Sequence, residues 1–309
     1  MSQTQNQVNQ INQINQAEVN PVDPIQNRVQ NPVVPADPAQ EHTQDLNTWL
    51  DQGMALYGVG RYEGAVARFD RLLQQQPDHP EAWMKRGFAL HALEYDEEAI
   101  ASFERALKLK PKNALAWHGK GIALARLERY EEAIASFDKA VKFDPTDAKA
   151  WYNRGYAQNR LYRYREAIAS FDKVVELRPD NYRAWYNRGL ALGALRRYDE
   201  ALTSLETAVT IKPTCHYAWS YRGIILVKLE RFEEAIASFD QSLQCKDDNP
   251  EAWYGKACAR SLQGDLERTL RNLHRAVVLS PNLYRVMAQT DSSFDNVRHH
   301  PEFQALLGD

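Results

Sequence analysis

Cysteine is scarce. The 309 residues hold only Cys215, Cys245 and Cys258, with no CxxC pair, and an odd number cannot be fully paired within the chain. That argues against a disulfide framework or a cysteine zinc site and predicts ordinary thiols in a reducing, cytoplasmic compartment. Long apolar runs are missing too: no stretch approaches the roughly 18 residues a membrane-spanning helix needs. The first forty residues lack a basic segment followed by an apolar one, so no secretory signal is expected there. Excess charge is also absent. With 38 Lys plus Arg against 41 Asp plus Glu, the formal charge is -3. Nothing in that balance drives binding to nucleic acid or to a membrane surface. Catalytic signatures are missing as well: GxSxG, GxxxxGK[ST], HExxH and GxGxxG do not occur. His299-His300 is the one adjacent histidine pair, and no third ligand type is spaced nearby. No catalytic residue, metal site or cofactor is predicted. The 44% hydrophobic content is nonetheless ample for a buried core.

Residues 1–16 contain ten Asn or Gln, and residues 17–44 hold five of the fourteen prolines. Proline removes amide donors and biases its predecessor toward extended backbone, so 1–44 is expected to be a disordered arm.

What the chain has is a ruler. All seven tryptophans, Trp49, Trp83, Trp117, Trp151, Trp185, Trp219 and Trp253, are spaced 34 residues apart. With Trp as position 4 of a 34-residue unit, position 8 is glycine in six units, with Ala257 the exception. Position 20 is alanine in six, with Thr269 the exception. Position 24 is Phe in five and Leu in two, and position 32 is proline in six, with Asp247 the exception.

Each unit reads as two helices. In the unit starting at Pro80, Trp83, Gly87, Leu90 and Leu93 recur at helical spacing, and so do Ala99, Ile100, Phe103, Ala106 and Leu107. A short polar break at Glu94-Tyr95 separates them, and Pro111 stops the second run. Asp45, Asn113, Asp147, Asn181 and Asn249 stand where N-caps are needed. Acidic pairs such as Glu97-Glu98 and Glu131-Glu132 open second helices, where the helix dipole favours them. One hairpin exposes too much apolar surface to be stable alone, so the units must stack.

The pattern W-x2-[RK]-G, followed by A at 20, F at 24 and P at 32, resembles the tetratricopeptide repeat (TPR) family over residues 46–283. The resemblance implies an all-α, right-handed α-solenoid of seven helix-turn-helix repeats: 46–79, 80–113, 114–147, 148–181, 182–215, 216–249 and 250–283. Residues 284–309 would then be a C-terminal cap, as in many bacterial TPR proteins. This sequence departs from the family at position 7, which is basic in six units (Arg86, Lys120, Arg154, Arg188, Arg222, Lys256). Tyr95 also stands one residue earlier than its counterparts Tyr62, Tyr130, Tyr164 and Tyr198.

The resemblance further implies binding in a concave groove lined by first helices at positions 2, 5, 6, 9, 12 and 13. The central units place Lys149, Tyr152, Asn153, Tyr156 and Arg160 there, then Arg183, Tyr186 and Asn187, then Tyr217 and Tyr221. Residues 148–197 carry eleven basic against four acidic residues, +7 in fifty residues while the rest of the chain sums to -10. Tyr and Arg are frequent interface anchors, and Asn can bond both groups of a peptide backbone. The expected function is a non-enzymatic scaffold or adaptor binding a protein or peptide, acidic ones included, without nucleic acid and without membrane insertion. The family's clamp for chaperone C-termini is matched only at Asn153 and Arg183, while His118, Ile122 and Asn187 depart from it. The alternatives are an assembly factor or cochaperone for a multi-protein complex, or a structural protein self-assembling through its Asn/Gln arm.

Overall fold

The computed structural model describes residues 46–308. The 1–44 arm and the Asp45 cap lie outside the described residues. Those described form sixteen α-helices and one 3-10 turn, with no strand among them. They fall into two compact units, one described over 46–177 and the other over 178–308.

The first unit is four helical hairpins: α1 (Leu46–Gly58) with α2 (Tyr62–Gln75), α3 (Pro80–Ala92) with α4 (Asp96–Leu109), α5 (Ala114–Arg126) with α6 (Tyr130–Phe143), and α7 (Ala148–Arg160) with α8 (Tyr164–Leu177). The second unit holds three: α9 (Tyr182–Ala194) with α10 (Tyr198–Ile211), α11 (His216–Lys228) with α12 (Phe232–Cys245), and α13 (Pro250–Leu262) with α14 (Leu266–Leu279). Then follow α15 (Pro281–Thr290), the 3-10 turn Ser292–Phe294 and α16 (Pro301–Leu307). Within each unit a first helix packs on its own second helix and on the first helices beside it.

Caps set the starts of the first helices. The side chains of Asn113, Asp147 and Asn181 accept from Ala116, Ala150 and Ala184 amides, and His79, not foreseen as a cap, accepts from Ala82. Asn249 differs from expectation. Its side chain makes no cap bond but donates to the hydroxyls of Ser220 and Ser242, which also bond to each other in the buried layer. Gly60, Glu94, Glu128, Tyr162, Arg196, Glu230 and Gly264, each 34 residues from the next, all turn the hairpin with positive φ.

Three devices hold helix to helix, the first within a hairpin and the other two between neighbouring hairpins. Glycine at position 8 lets the position-24 ring lie on bare backbone: a Cβ on Gly121 would stand 2.5 Å from Phe137 Cε1. The tryptophan indole donates to the carbonyl six residues earlier, Trp83 to Pro77 at 2.7 Å and Trp151 to Pro145 at 3.0 Å. Where proline is missing, Trp253 uses Asp247 O instead. The basic residue at position 7 lies over its tryptophan and reaches the preceding second helix. Arg86 meets Asp70, Lys120 meets Glu104 and Arg154 meets Asp138 in the first unit, as Arg222 meets Glu206 and Lys256 meets Asp240 in the second.

In the second unit, Phe294, Val297, Phe303 and Leu307 are buried in one cluster with Tyr254, Leu273 and Val277, so the aperiodic tail covers α13 and α14.

Candidate functional site

In the first unit, Tyr156 and Arg160 are brought together on α7. The Arg160 guanidinium donates to the Tyr156 hydroxyl at 3.5 Å, lies 5.1 Å from the centre of the Tyr130 ring and stands 3.8 Å from Glu128. Burial opposes its charge, but Tyr156, Tyr130 and Glu128 together raise its pKa. Lys149 is exposed at the start of the same helix. Tyr152 and Asn153 are buried instead. The Tyr152 ring packs edge-on against Phe171, and Asn153 Nδ2 stands 3.0 Å from His118 Nε2. The other imidazole nitrogen lies 2.8 Å from Asp147. Burial would raise the Asp147 carboxyl, but His118 and the Ala150 and Lys149 amides outweigh it and hold the carboxyl below its usual value.

The early tyrosine of the second repeat has its reason here. Asp96 occupies the helical position that tyrosine fills elsewhere and is buried against His91 at 2.5 Å, with Arg126 at 3.4 Å. Tyr95 is displaced outward and stands exposed. His91 falls on an inward position of the repeat pattern, but its partner Asp96, on a second helix, does not.

Several cations of the 148–197 window are met by carboxylates, three of them from outside it. Arg154 pairs with Asp138, Arg163 with Glu131 and Lys173 with Glu176 in the first unit, and Arg197 pairs with Glu200 in the second. Asp138 and Glu131 lie before the window, so counting charge along the chain misses them.

In the second unit, Arg183 donates to the Tyr182 hydroxyl at 3.2 Å, and Lys212 Nζ lies 3.5 Å from the same oxygen. Burial pushes that hydroxyl up, yet its hydrogen bonds with Tyr217 and Arg183, and the charge beside it, leave it below the ordinary tyrosine value. Asn187 returns its amide to Arg183 O at 2.8 Å. Tyr186, Tyr217 and Tyr221 form one aromatic cluster, with Tyr186 4.7 Å from Tyr217 and 6.4 Å from Tyr221. Tyr186 and Tyr221 are buried, whereas Tyr217 is partly accessible. The Tyr186 hydroxyl is buried without a hydrogen-bond partner, and burial drives its pKa far up.

The second unit also contains a cavity of about 180 Å³ that the repeat pattern did not foreshadow. Ile224, Val227 and Lys228 of α11 form one wall, and Glu251, Tyr254 and Cys258 of α13 another. Met287 of α15 and Asp291 after it close the end. The hydroxyl of Tyr254 donates to Asp291 Oδ2 at 2.9 Å, the Cys258 thiol lies 3.8 Å from that oxygen, and the Ser293 amide holds Oδ1 at 2.9 Å. Burial, and then the Asp291 charge, raises the thiol well above its ordinary value, so Cys258 stays protonated and is a poor nucleophile. Glu251, Tyr254 and Cys258 sit at positions 2, 5 and 9 of the seventh repeat, a column that could have been read. Met287 and Asp291 stand 34 residues after Trp253 and Ala257, but neither is the residue type that the period sets in its column, so the pattern did not mark them.

Among the described residues no three His, Cys, Asp or Glu side chains are placed to hold a metal ion, and no helix is long and apolar enough to cross a membrane.

Paired helices of constant length, glycine under phenylalanine and tryptophan bonded to the preceding turn define a helical-hairpin repeat protein. The profile of the tetratricopeptide repeat matches residues 50–114, 97–148, 120–164, 152–214 and 188–250. The chain belongs to the tetratricopeptide repeat family, whose fold supports protein–protein interaction in general. No curated protein matches it in sequence. Among solved structures, a tetratricopeptide repeat protein from Parabacteroides merdae is 16% identical with a TM-score of 0.56, covering 78% of this chain and 96% of that one. YrrB, described as a TPR protein with an unusual peptide-binding site, is 24% identical with a TM-score of 0.53, over 59% and 93%. MamA from Desulfovibrio magneticus is 22% identical with a TM-score of 0.52, over 55% and 96%. At these identities the likeness is one of fold.

Proposed function

We propose that this protein is a non-enzymatic interaction scaffold that holds a peptide or helix of a partner protein on its first-helix faces. The observation that carries the reading is the α7 face, where Lys149, Tyr156 and Arg160 stand accessible above a hydrogen-bonded layer of Asn153, His118 and Asp147. A layer locked in this way presents the side chains above it at little further entropic cost, which favours binding. The Arg160 guanidinium has one distant carboxylate, Glu128 at 3.8 Å, and so keeps donors for an acidic group of the partner. In the second unit Arg183, Tyr182 and Tyr217 offer a similar combination of cation and phenol. Nucleic acid is a poorer fit, because Arg154, Arg163 and Lys173 are already bonded to carboxylates.

The test is a quantitative pull-down from native lysate, with the wild type beside Arg160→Glu and Arg183→Glu as separate baits. A small protein set held by the wild type and lost by Arg160→Glu, with the helical circular dichroism unchanged, supports the reading. Identical sets on all three baits sink it. The same partners decide between a stable adaptor and an assembly factor, since the latter retains unassembled subunits only.

A further inference from the structure

The C-terminal end of α7 carries aromatic surface that the repeat itself does not need. Tyr162, two residues past Arg160, is 58% exposed, and its ring centre lies 6.1 Å from that of Tyr164 at 77°. Tyr162 also holds φ 58° in the hairpin turn, a left-handed conformation taken by glycine, glutamate or arginine in the other repeats. A bulky residue there costs about 1 kcal/mol of strain, and an exposed ring gains nothing from the core in return. At the same helix end, Arg160 lies 5.1 Å from the Tyr130 ring centre and 3.5 Å from the Tyr156 hydroxyl, so two more phenols adjoin one cation. Glu128, the carboxylate facing that cation at 3.8 Å, has its side chain 74% exposed and leaves room for another acid. Flat aromatic faces beside a hydrogen-bond donor are the surface on which proline-rich segments dock.

We infer that this end of α7 receives residues 32–38 of the same chain, a proline-rich strap laid across the four tyrosines and Arg160. Pro32, Pro35 and Pro38 are three residues apart, which in a polyproline helix of three residues per turn sets them along one edge. Proline has its φ preset for that helix, so little freedom is lost on docking. The proline edge lies against the tyrosine faces, and Asp37 supplies the carboxylate for the Arg160 guanidinium. Charge agrees along the whole approach: residues 32–45 hold Asp37, Glu41 and Asp45 and no Lys or Arg. Length agrees too. Leu46 opens α1, and α7 is the third first helix beyond it in the same unit. At about 10 Å per packed helix and about 20 Å along α7, the site lies about 35 Å from Leu46. Pro32 stands fourteen residues before Leu46, a span of up to about 46 Å. This deepens the scaffold reading and rests on its premise that the α7 face binds. The segment class is proline-rich and acidic, and a partner must displace the strap to occupy the same face.

The full chain is prepared with Ala36→p-benzoylphenylalanine, a photo-crosslinker placed off the proline edge, and irradiated, and the linked peptides are mapped by mass spectrometry. The expected links fall on Tyr130 and on residues 156–164, in a species with the mass of one chain. Asp37→Lys should lower their yield about fivefold, and adding Arg160→Glu to it should restore the yield by reversing the pair. Pro32→Ser, Pro35→Ser and Pro38→Ser together should lower it as much, since the chain keeps its length but loses the preset φ. Circular dichroism checks that the helices survive each change. Links scattered along the chain, or a yield indifferent to Asp37→Lys and to the serine variant, overturn the proposal. Links to the same residues in a species of twice the mass overturn it as well, because the occupant is then a second copy. If the strap links form while all pull-down baits hold identical protein sets, the partner reading fails and the strap stands. Scattered links beside a protein set lost by Arg160→Glu give the reverse, so the two readings fail separately.

Discussion

Arg154 Nε donates to Asp138 at 2.6 Å, while the other end of the same guanidinium holds the Ser170 hydroxyl at 2.7 Å. One side chain thus ties α7 to α6 and to α8, with its charge 5.6 Å from the Trp151 ring centre. Arg154→Met keeps the stem and removes the bonds. Asp138 is half exposed, so the expected loss is modest, about 1 kcal/mol in urea unfolding. Lys173→Gln, breaking the exposed pair with Glu176, should cost less than about 0.5 kcal/mol. Equal losses for the two would mean that the inter-repeat tie adds nothing beyond an ordinary surface pair.

Gly121 and Gly58 predict opposite signs for the same substitution. A methyl on Gly121 meets the fully buried Phe137 ring at 2.5 Å, and neither the ring nor the helix can yield cheaply. Gly121→Ala should destabilise by about 1–2 kcal/mol even after alanine's better helix propensity is counted. Gly58 ends α1, and a methyl added there would meet nothing within 4 Å, so Gly58→Ala should gain about 0.5 kcal/mol. Thermal midpoints moving in the same direction would refute the close-packing account.

The hairpin turn asks for a left-handed residue, and the sequence obeys only at its ends. Gly60 and Gly264 supply it without strain, whereas Glu230 takes φ 57° in the same register. Glu230→Gly should stabilise by about 0.5–1 kcal/mol, the relief of the side-chain clash less the added freedom of the unfolded chain. Chemical denaturation reads this directly, and a loss of stability would mean that the glutamate side chain makes a contact worth more than the strain.

Periodicity made the hairpins legible, because glycine beneath phenylalanine and indole on the preceding carbonyl are close contacts that tolerate few substitutes. The faces were less legible. Tyr152, Tyr186 and Tyr221 sit in inward columns with Tyr156 and Tyr217, and sequence alone does not say which ring turns under its neighbour. Burial separates them: the first three are buried and the latter two are not. Position 7 arginines read as charge, yet Asp138 and Glu206 on preceding second helices take up Arg154 and Arg222. The cavity stayed hidden because Met287 and Asp291 stand in the tryptophan and glycine columns of an eighth unit without being the residues that mark it.

The His118–Asp147 pair carries a pH signature. Asp147 accepts from the Lys149 and Ala150 amides and lies 2.8 Å from His118 Nδ1, and its carboxyl is held below its ordinary value of 3.8. A carboxyl depressed in the folded state stabilises the fold above the unfolded-state value, and that stability is lost as pH falls through the folded one. Asp147→Asn preserves the cap, since asparagine serves equally well there, and removes only the charge. Near neutral pH the variant should be about 1 kcal/mol less stable than the wild type, a figure that allows for the partial exposure of the carboxylate. The two unfolding curves should converge as pH drops below 3.8. Urea titrations at about pH 7, about pH 5 and about pH 3 decide it: a gap that stays constant would show that the charge on Asp147 does not stabilise this fold.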